Sequence, residues 1–421
     1  MSGPSAVSDA GSLQRRLGLF DAVVIGLGSM IGAGIFAALA PAAAAAGSGL
    51  LVALAVAAVV AYCNATSSAR LAARYPASGG TYVYGRERLG DFWGYLAGWG
   101  FVVGKTASCA AMALTVGVYA WPAQAHAVAV AAVVALTAVN YVGVQKSAWL
   151  TRGIVAVVLV VLAAVVTAGL TSDAARLDRL DPSGEITAGG VLQAAGLLFF
   201  AFAGYARIAT LGEEIRDPAR TIPRAIGLAL GVALAVYALV AVAALVVLGD
   251  RLGASAAPLA DAVRAAGFAD LAPVVRIGAA VAALGSLLAL ILGVSRTTLA
   301  MARDRHLPHA LAAAHPRFGV PHRAEVAVGA VVAVLAATVD VHTAIGFSSF
   351  AVLLYYTIAN ASAWTLTTAQ GRPPRFVPML GLAGCLVLAI ALPPRSVIAG
   401  IVVVAIGALI YGLRHLAWRR R

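Results

Sequence analysis

Charge is scarce in this sequence. Only 11% of its 421 residues are Asp, Glu, Lys or Arg, and lysine occurs just twice, as Lys105 and Lys146. A soluble globular domain carries roughly 25% charged residues. With 62% of the chain hydrophobic, a soluble fold would have to hide more apolar surface than its interior can hold, so the surplus must face lipid. Cysteine is equally sparse. Cys63, Cys109 and Cys385 each lie inside an apolar run, where cysteine behaves as a small hydrophobe. That argues against a disulfide framework, and no CxxC or Cys/His spacing points to a metal. HExxH and GxSxG are absent, as is any pair of acids inside an apolar run, which argues against an enzyme. No cofactor is expected. Alternating ten-residue segments, the mark of an outer-membrane barrel, are missing. The formal charge of +13 raises nucleic acid as a partner. Its cations, however, fall in short clusters between apolar runs, with no aromatic-interleaved basic face.

What remains is a series of apolar runs of about helix-spanning length, on the order of 20 residues each. Twelve are expected, at roughly 19–44, 47–73, 91–121, 124–143, 147–171, 189–212, 223–248, 273–303, 324–340, 342–368, 376–392 and 395–416. The ninth and eleventh are short. Pro41, Pro76, Pro122, Pro182, Pro223, Pro321 and Pro394 fall at or near the boundaries, where proline's missing N–H costs least. Orientation follows from loop cations. With the N-terminus cytoplasmic, twenty-two of the 30 Lys and Arg residues lie inside and six outside. Lys105 and Arg207 sit within spans. Residues 1–18, polar and without a short apolar stretch before a cleavage site, read as a cytoplasmic tail, and 417–421 as a basic cytoplasmic end. The expected fold is therefore all-α, polytopic, in the cell membrane, with both termini cytoplasmic.

Two spans carry interruptions. Span one has Gly26, Gly28, Gly32 and Gly34 within nine residues, with Ser29 among them. Glycine in membrane helices commonly serves close packing. At this density it also weakens the helix and frees backbone groups that must meet protein, water or a ligand. Span six has Gly204 between Phe202 and Tyr205. Spans one and six open the two halves of a five-plus-five arrangement, and paired interruptions at matching positions point to a transporter site near the bilayer midplane. Half-helix N-termini offer N–H groups to a carboxylate, and unwound carbonyls accept from an ammonium. A zwitterionic amino acid suits both.

Four stretches, GSMIGAGIF at 28–36, YPASGGTYVYGRERLG at 75–90, FFAFAGYARIATLGEEIRDPARTIPRAI at 199–226 and SRTTLAMARDRHLPHALAAAHPRFGVP at 295–321, together resemble the amino acid–polyamine–organocation (APC) transporter superfamily. The resemblance runs from span one to at least span ten. It implies a LeuT-like 5+5 inverted repeat, with 19–171 and 189–368 as the two repeats and two extra C-terminal helices at 376–416. It also implies a substrate carboxylate held by backbone N–H groups at Gly32, Ala33 and Gly34. The amino group would meet carbonyls of Met30, Phe200 and Ala203 beside Gly204. Phe200 is the expected gating aromatic, with Phe202 and Tyr205 as neighbours; ordinary core packing is the other reading of all three.

Departures from the family pattern shape the expected substrate. Ala206 stands where members handling cations carry an acid, and Leu290 where arginine exchangers carry tryptophan. Both losses favour neutral or anionic substrates over cationic ones. Val158 replaces the lysine of many proton-coupled relatives, and Ser286 is a lone hydroxyl candidate for sodium. Lys105 lies about 14 residues into span three, and a charge at the centre of a span costs roughly 2.5–3.5 kcal/mol. It is expected to line the site and is the candidate proton carrier; a fixed cation bonded to freed carbonyls is the alternative. Arg207 is read as bracing or gating, and Glu213, Glu214, Arg216, Asp217 and Arg220 as either an inner-face ion-pair network or solvated loop charges. The leading reading is a secondary transporter, by symport or amino acid permease–type exchange without proton coupling, of neutral L-amino acids. A nutrient sensor built on the same fold is the runner-up. The sequence leaves oligomeric state open.

Overall fold

The structure is a computed structural model and describes residues 17–75, 79–143, 148–181, 186–209 and 214–419. The N-terminal tail to residue 16, Pro76, Lys146, Pro182, Glu213, Arg420 and Arg421 lie outside the described residues.

Helices joined by short loops and turns make up most of the described chain. It begins with α1 (Leu19–Met30), α2 (Ala33–Ala37) and α3 (Leu39–Ala46), which together make up the first expected span. Gly47, at φ 54°, turns it into α4 (Leu50–Arg74). The first half continues through α5 (Thr81–Leu89), α6 (Asp91–Ala120), α7 (Ala125–Tyr141) and α8 (Ala148–Leu170). The second half opens with α9 (Ala188–Phe202) and the short α10 (Ala206–Ala209). It goes on through α11 (Pro218–Leu248), α12 (Pro258–Ala265), α13 (Ala272–Arg303), α14 (His322–Thr338) and α15 (Val341–Trp364). Two further helices, α16 (Phe376–Ala391) and α17 (Pro394–Arg419), follow.

Among the described residues, ten helical segments are long and apolar enough to cross a membrane. Twelve spans were expected; the two weak ones are α14, with 17 residues, and α16, with 16. At 1.5 Å per residue each falls short of a hydrocarbon core about 30 Å thick. One boundary moves. Pro223 lies inside α11, which starts earlier, at Pro218. Pro218 at the first helical position needs no N–H partner, and Pro223 still falls in the opening turns.

Packing sorts the helices into centre and rim. The apolar stretch of α9 and its continuation is 78% buried and that of α6 72%, against 11% for α7 and 17% for α17. The rim helices put Val134, Ile398, Ile401 and Leu409 outward, as lipid-facing surfaces require. Two contacts tie α1 down at its start. Leu17 pairs in parallel with Ile215, donating its N–H to the Glu214 carbonyl at 3.0 Å and accepting from the Arg216 N–H at 2.9 Å. Asp21 then forms an ion pair with Arg152 on α8. The start of α1 is thus fixed to the segment leading into α11 and to α8 at once.

Candidate functional site

The first interruption is a true break. α1 stops at Met30, and Ile31 and Gly32 leave helical geometry, Gly32 at φ −113°, ψ −139°, before α2 resumes at Ala33. The carbonyl of Met30 is thereby freed. Tyr237, wholly buried on α11, meets it: its hydroxyl lies 2.6 Å from the Met30 oxygen and 3.0 Å from the Ala201 oxygen. One phenol therefore ties the break in the first span to α9. The second interruption is milder. After Phe202 the helix tightens into a 3-10 turn over Ala203–Tyr205 and continues as α10.

The two interruptions touch backbone to backbone. A Cβ built on Gly204 would lie 2.2 Å from the Ser29 carbonyl oxygen and 2.7 Å from the Met30 nitrogen. One on Gly34 would lie 2.6 Å from the Cα of Ala201. Only hydrogen fits at either point. At Gly32 the obstacle is a side chain, since a Cβ would fall 2.0 Å from Ser286 Oγ. That hydroxyl donates to the Gly28 carbonyl at 3.2 Å, so Ser286 ties α13 to the broken helix.

Beside this junction lies a cavity of about 170 Å³. Ser29, Lys105, Phe200, Ala203, Gly204 and Ser286 line its inner part. From there Ser286, Leu290, Gly293, Arg296, Thr297 and Ala300 form one stripe down α13. The stripe runs over 15 residues, about 21 Å of helix from first to last, and ends one turn before Arg303, where cation-rich loops begin. Lys105 is 8% exposed, and its Nζ stands 3.5 Å from the Ala203 carbonyl. That carbonyl also faces the Tyr356 hydroxyl at 3.5 Å. A turn along α6, Ser108 bonds Ser348 on α15 at 2.5 Å. Among the described residues lining the cavity, the charged groups are Lys105, Arg207, Arg296 and Glu214: three cations and one carboxylate.

The Amino acid permease family profile matches residues 17–413. The chain belongs to the amino acid permease family. It is 76% identical over 409 residues to an uncharacterized transporter of Mycobacterium tuberculosis (strain ATCC 25618 / H37Rv), covering 97% of this chain and 93% of that one. It is 26% identical to the branched-chain amino acid permease of Bacillus subtilis (strain 168), over 97% of this chain and 95% of the relative. It is 30% identical to human cationic amino acid transporter 4, over 86% of this chain and 61% of that longer protein. Family and relatives are transporters, not enzymes.

Within this permease the sequence-selected residues divide. Lys105, Phe200, Ala203, Gly204 and Ser286 face the cavity, as do Ala206, Arg207 and Leu290. Met30, Gly32, Ala33, Gly34, Phe202 and Tyr205 do not line it. Met30, Ala33, Phe202 and Tyr205 are buried behind it: Phe202 packs edge-on against Tyr237 and Tyr205 lies against Tyr356, with centroids 5.1 and 5.3 Å apart. Val158 is buried in the apolar core. Sequence reasoning missed Tyr237, Tyr355 and Arg296. Arg296 had been counted with the loop cations, and its spacing from Ser286 along α13 was the overlooked signal. Tyr237 sits in an apolar run with no local mark.

Proposed function

We propose that this permease is a secondary active transporter of neutral L-amino acids, working by alternating access with proton symport, on a LeuT-like 5+5 inverted repeat in the cell membrane with both termini cytoplasmic. The observation that carries the reading is the cavity at the junction of the two interrupted helices, lined by three cations and one carboxylate. Such a lining attracts a substrate carboxylate and opposes a second positive charge on the substrate. Phe200, Met112 and Leu290 in the same wall offer apolar contact to a side chain. The name of the Bacillus relative, a branched-chain amino acid permease, agrees with this better than that of the human cationic transporter.

In this reading the N–H groups at Gly32, Ala33 and Gly34 and the carbonyls of Phe200 and Ala203 become available when the junction loosens, with Phe200 as gate backed by Phe202 and Tyr205. Tyr237 holds the Met30 carbonyl until then. Lys105 carries the coupled proton. A compact ammonium in a dry wall can release its proton, whereas arginine cannot. The Ala203 carbonyl beside it is the group through which substrate and Lys105 sense each other. Ser286, already bonded to Gly28, offers one hydroxyl where a sodium site needs several oxygens.

Proteoliposomes containing purified protein test this directly. Unlabelled leucine or valine is expected to displace a labelled neutral amino acid, with arginine and polyamines at least about tenfold weaker, a difference of about 1.4 kcal/mol. Arginine outcompeting every neutral amino acid overturns the substrate class. Lys105→Ala should abolish accumulation driven by a pH gradient while sparing counterflow exchange, and Lys105→Arg should fail in the same way. An alanine variant that accumulates substrate with the wild-type pH profile makes Lys105 a fixed cation.

A further inference from the structure

One acid stands inside the bundle away from the cavity. Glu325, one turn into α14, is 0% exposed, and neither carboxylate oxygen has a hydrogen-bond partner. An ionised carboxylate left so would cost several kcal/mol, so the group is stable there as the neutral acid. Two hydroxyls share its level of the bundle. Thr137 Oγ1 on α7 and Thr298 Oγ1 on α13 are also buried and unpartnered. Other hydroxyls in α13 and α14, those of Ser295, Thr297 and Thr338, donate back to the carbonyl four residues earlier; these two do not.

Register brings the three together. Val133, Val294 and Val328 pack in one apolar cluster across α7, α13 and α14. Thr137 lies one turn beyond Val133, Thr298 one turn beyond Val294, and Glu325 one turn before Val328 on the antiparallel α14. The side chain of Thr137 abuts Gly329, the next turn of α14.

The charged and titratable groups around the site are few. From α13 comes Arg296, two residues before Thr298, and Arg296 also lines the cavity. α6 contributes Cys109 to the same apolar cluster, one turn from Lys105. α7 ends in Tyr141, which packs edge-on with His322 at 6.1 Å, and His322 meets His315 at 5.3 Å. His322 Nδ1 is buried without a partner, one turn before Glu325. Arg323 reaches away to the Ala310 carbonyl, and His309, in the 3-10 turn His309–Ala312 against α14, is exposed.

We propose that Glu325 is a second proton site of the transport cycle, a carboxyl at the cation-rich end of the bundle whose charge is linked to the occupied cavity through Arg296. When a substrate carboxylate engages Arg296, the cation's field at Glu325 weakens and the neutral acid is favoured. When substrate leaves, the field returns and the carboxyl gives its proton to water at that end. The Thr137 and Thr298 hydroxyls, unpartnered in this structure, are the groups that would meet the carboxylate once the helices shift on proton release.

This inference rests on the proton-coupled reading, and the experiment separates the two. In proteoliposomes, Glu325→Gln fixes the neutral shape. Accumulation driven by a pH gradient should fall at least about tenfold and lose its pH dependence, while counterflow stays within about threefold of wild type. Glu325→Asp should recover gradient-driven accumulation. A glutamine variant with wild-type accumulation and pH profile overturns the assignment and leaves the proton-coupled reading standing. Equal loss of counterflow and accumulation in the glutamine variant makes Glu325 a packing residue and also overturns it. Wild-type accumulation that follows a sodium gradient and ignores pH overturns both.

Discussion

The two interruptions differ in kind. In the first span two residues leave helical geometry outright and the chain restarts as a new helix at Ala33; in the sixth, the backbone only tightens for one 3-10 turn. Four glycines in nine residues produce the break, and one glycine in a run of bulky aromatics produces the tightening. Each also answers its freed polarity differently. The break hands the Met30 carbonyl to the Tyr237 hydroxyl. The tightened turn leaves the Ala203 carbonyl facing Lys105 and Tyr356 at 3.5 Å each, long enough for a better partner to displace them. The first interruption is therefore secured and the second is open to exchange.

That contrast is broken most severely where the two backbones meet. Gly204→Val should reduce uptake at least about a hundredfold, because its Cβ would strike the Ser29 carbonyl and a backbone cannot rotate away. Gly34→Val should be nearly as damaging, against Ala201. Gly32→Ala should lose less, since the obstructing Ser286 hydroxyl can turn. Binding measured on detergent-purified protein that still elutes as a single species checks all three, and near-normal affinity for Gly204→Val would sink the backbone-contact account.

A moderate effect is expected at the secured break. Tyr237→Phe keeps the ring against Phe202 but strips the hydroxyl from the Met30 and Ala201 carbonyls. Leaving such groups unpaired costs about 1–3 kcal/mol, read as a lower melting temperature. If the break is secured as described, substrate affinity should change less than stability does. A variant as stable as wild type would show that the freed carbonyls find other partners.

The smallest effect is expected far from both interruptions. His306, beyond the end of α13, accepts from or donates to the Tyr82 hydroxyl at 2.9 Å and packs against Tyr95 at 5.3 Å. Burial pushes its pKa below the usual histidine range, with Asp304 opposing the shift. A lowered folded-state pKa means that the unfolded chain binds the proton more readily. Stability from this site is therefore present above about pH 6.5 and is lost as the pH falls below it. His306→Gln should flatten the melting temperature between pH 7 and pH 5 by a small amount, on the order of a few degrees, with transport at neutral pH unchanged. An identical pH slope in the variant would remove His306 from the account.

Much of this was legible in the residues. Run length gave the spans to within a few residues for α6, α7, α8 and α13, because apolar runs bounded by proline, glycine or cations have little choice of end. The breaks were legible from glycine density, and Lys105 from its depth in span three. Of the cavity wall, Lys105, Phe200, Ala203, Gly204 and Ser286 were legible, but Tyr355 and Arg296 were not, nor was Tyr237 behind it. Tyr237 and Tyr355 look like any aromatic in an apolar run, and only packing shows which carbonyl or cavity they face. The weak spans were weak for a physical reason as well: α14 and α16, with 17 and 16 residues, are the shortest helical segments of the expected twelve. Glu325 escaped notice because one acid near a span's edge reads as a loop charge until its burial is known.

The pairing of Leu17 with Ile215 has a mechanical meaning. Two hydrogen bonds clamp the start of α1 to the segment that leads into α11, and the Asp21–Arg152 contact holds it to α8. The half-helices below the two interruptions therefore share one handle at the cation-rich end. In the alternating-access reading proposed above, a swing of α1 that widens the mouth of the cavity would carry residues 214–216 with it, so that hinges at Gly32 and Gly204 would turn as a single crank rather than as independent doors.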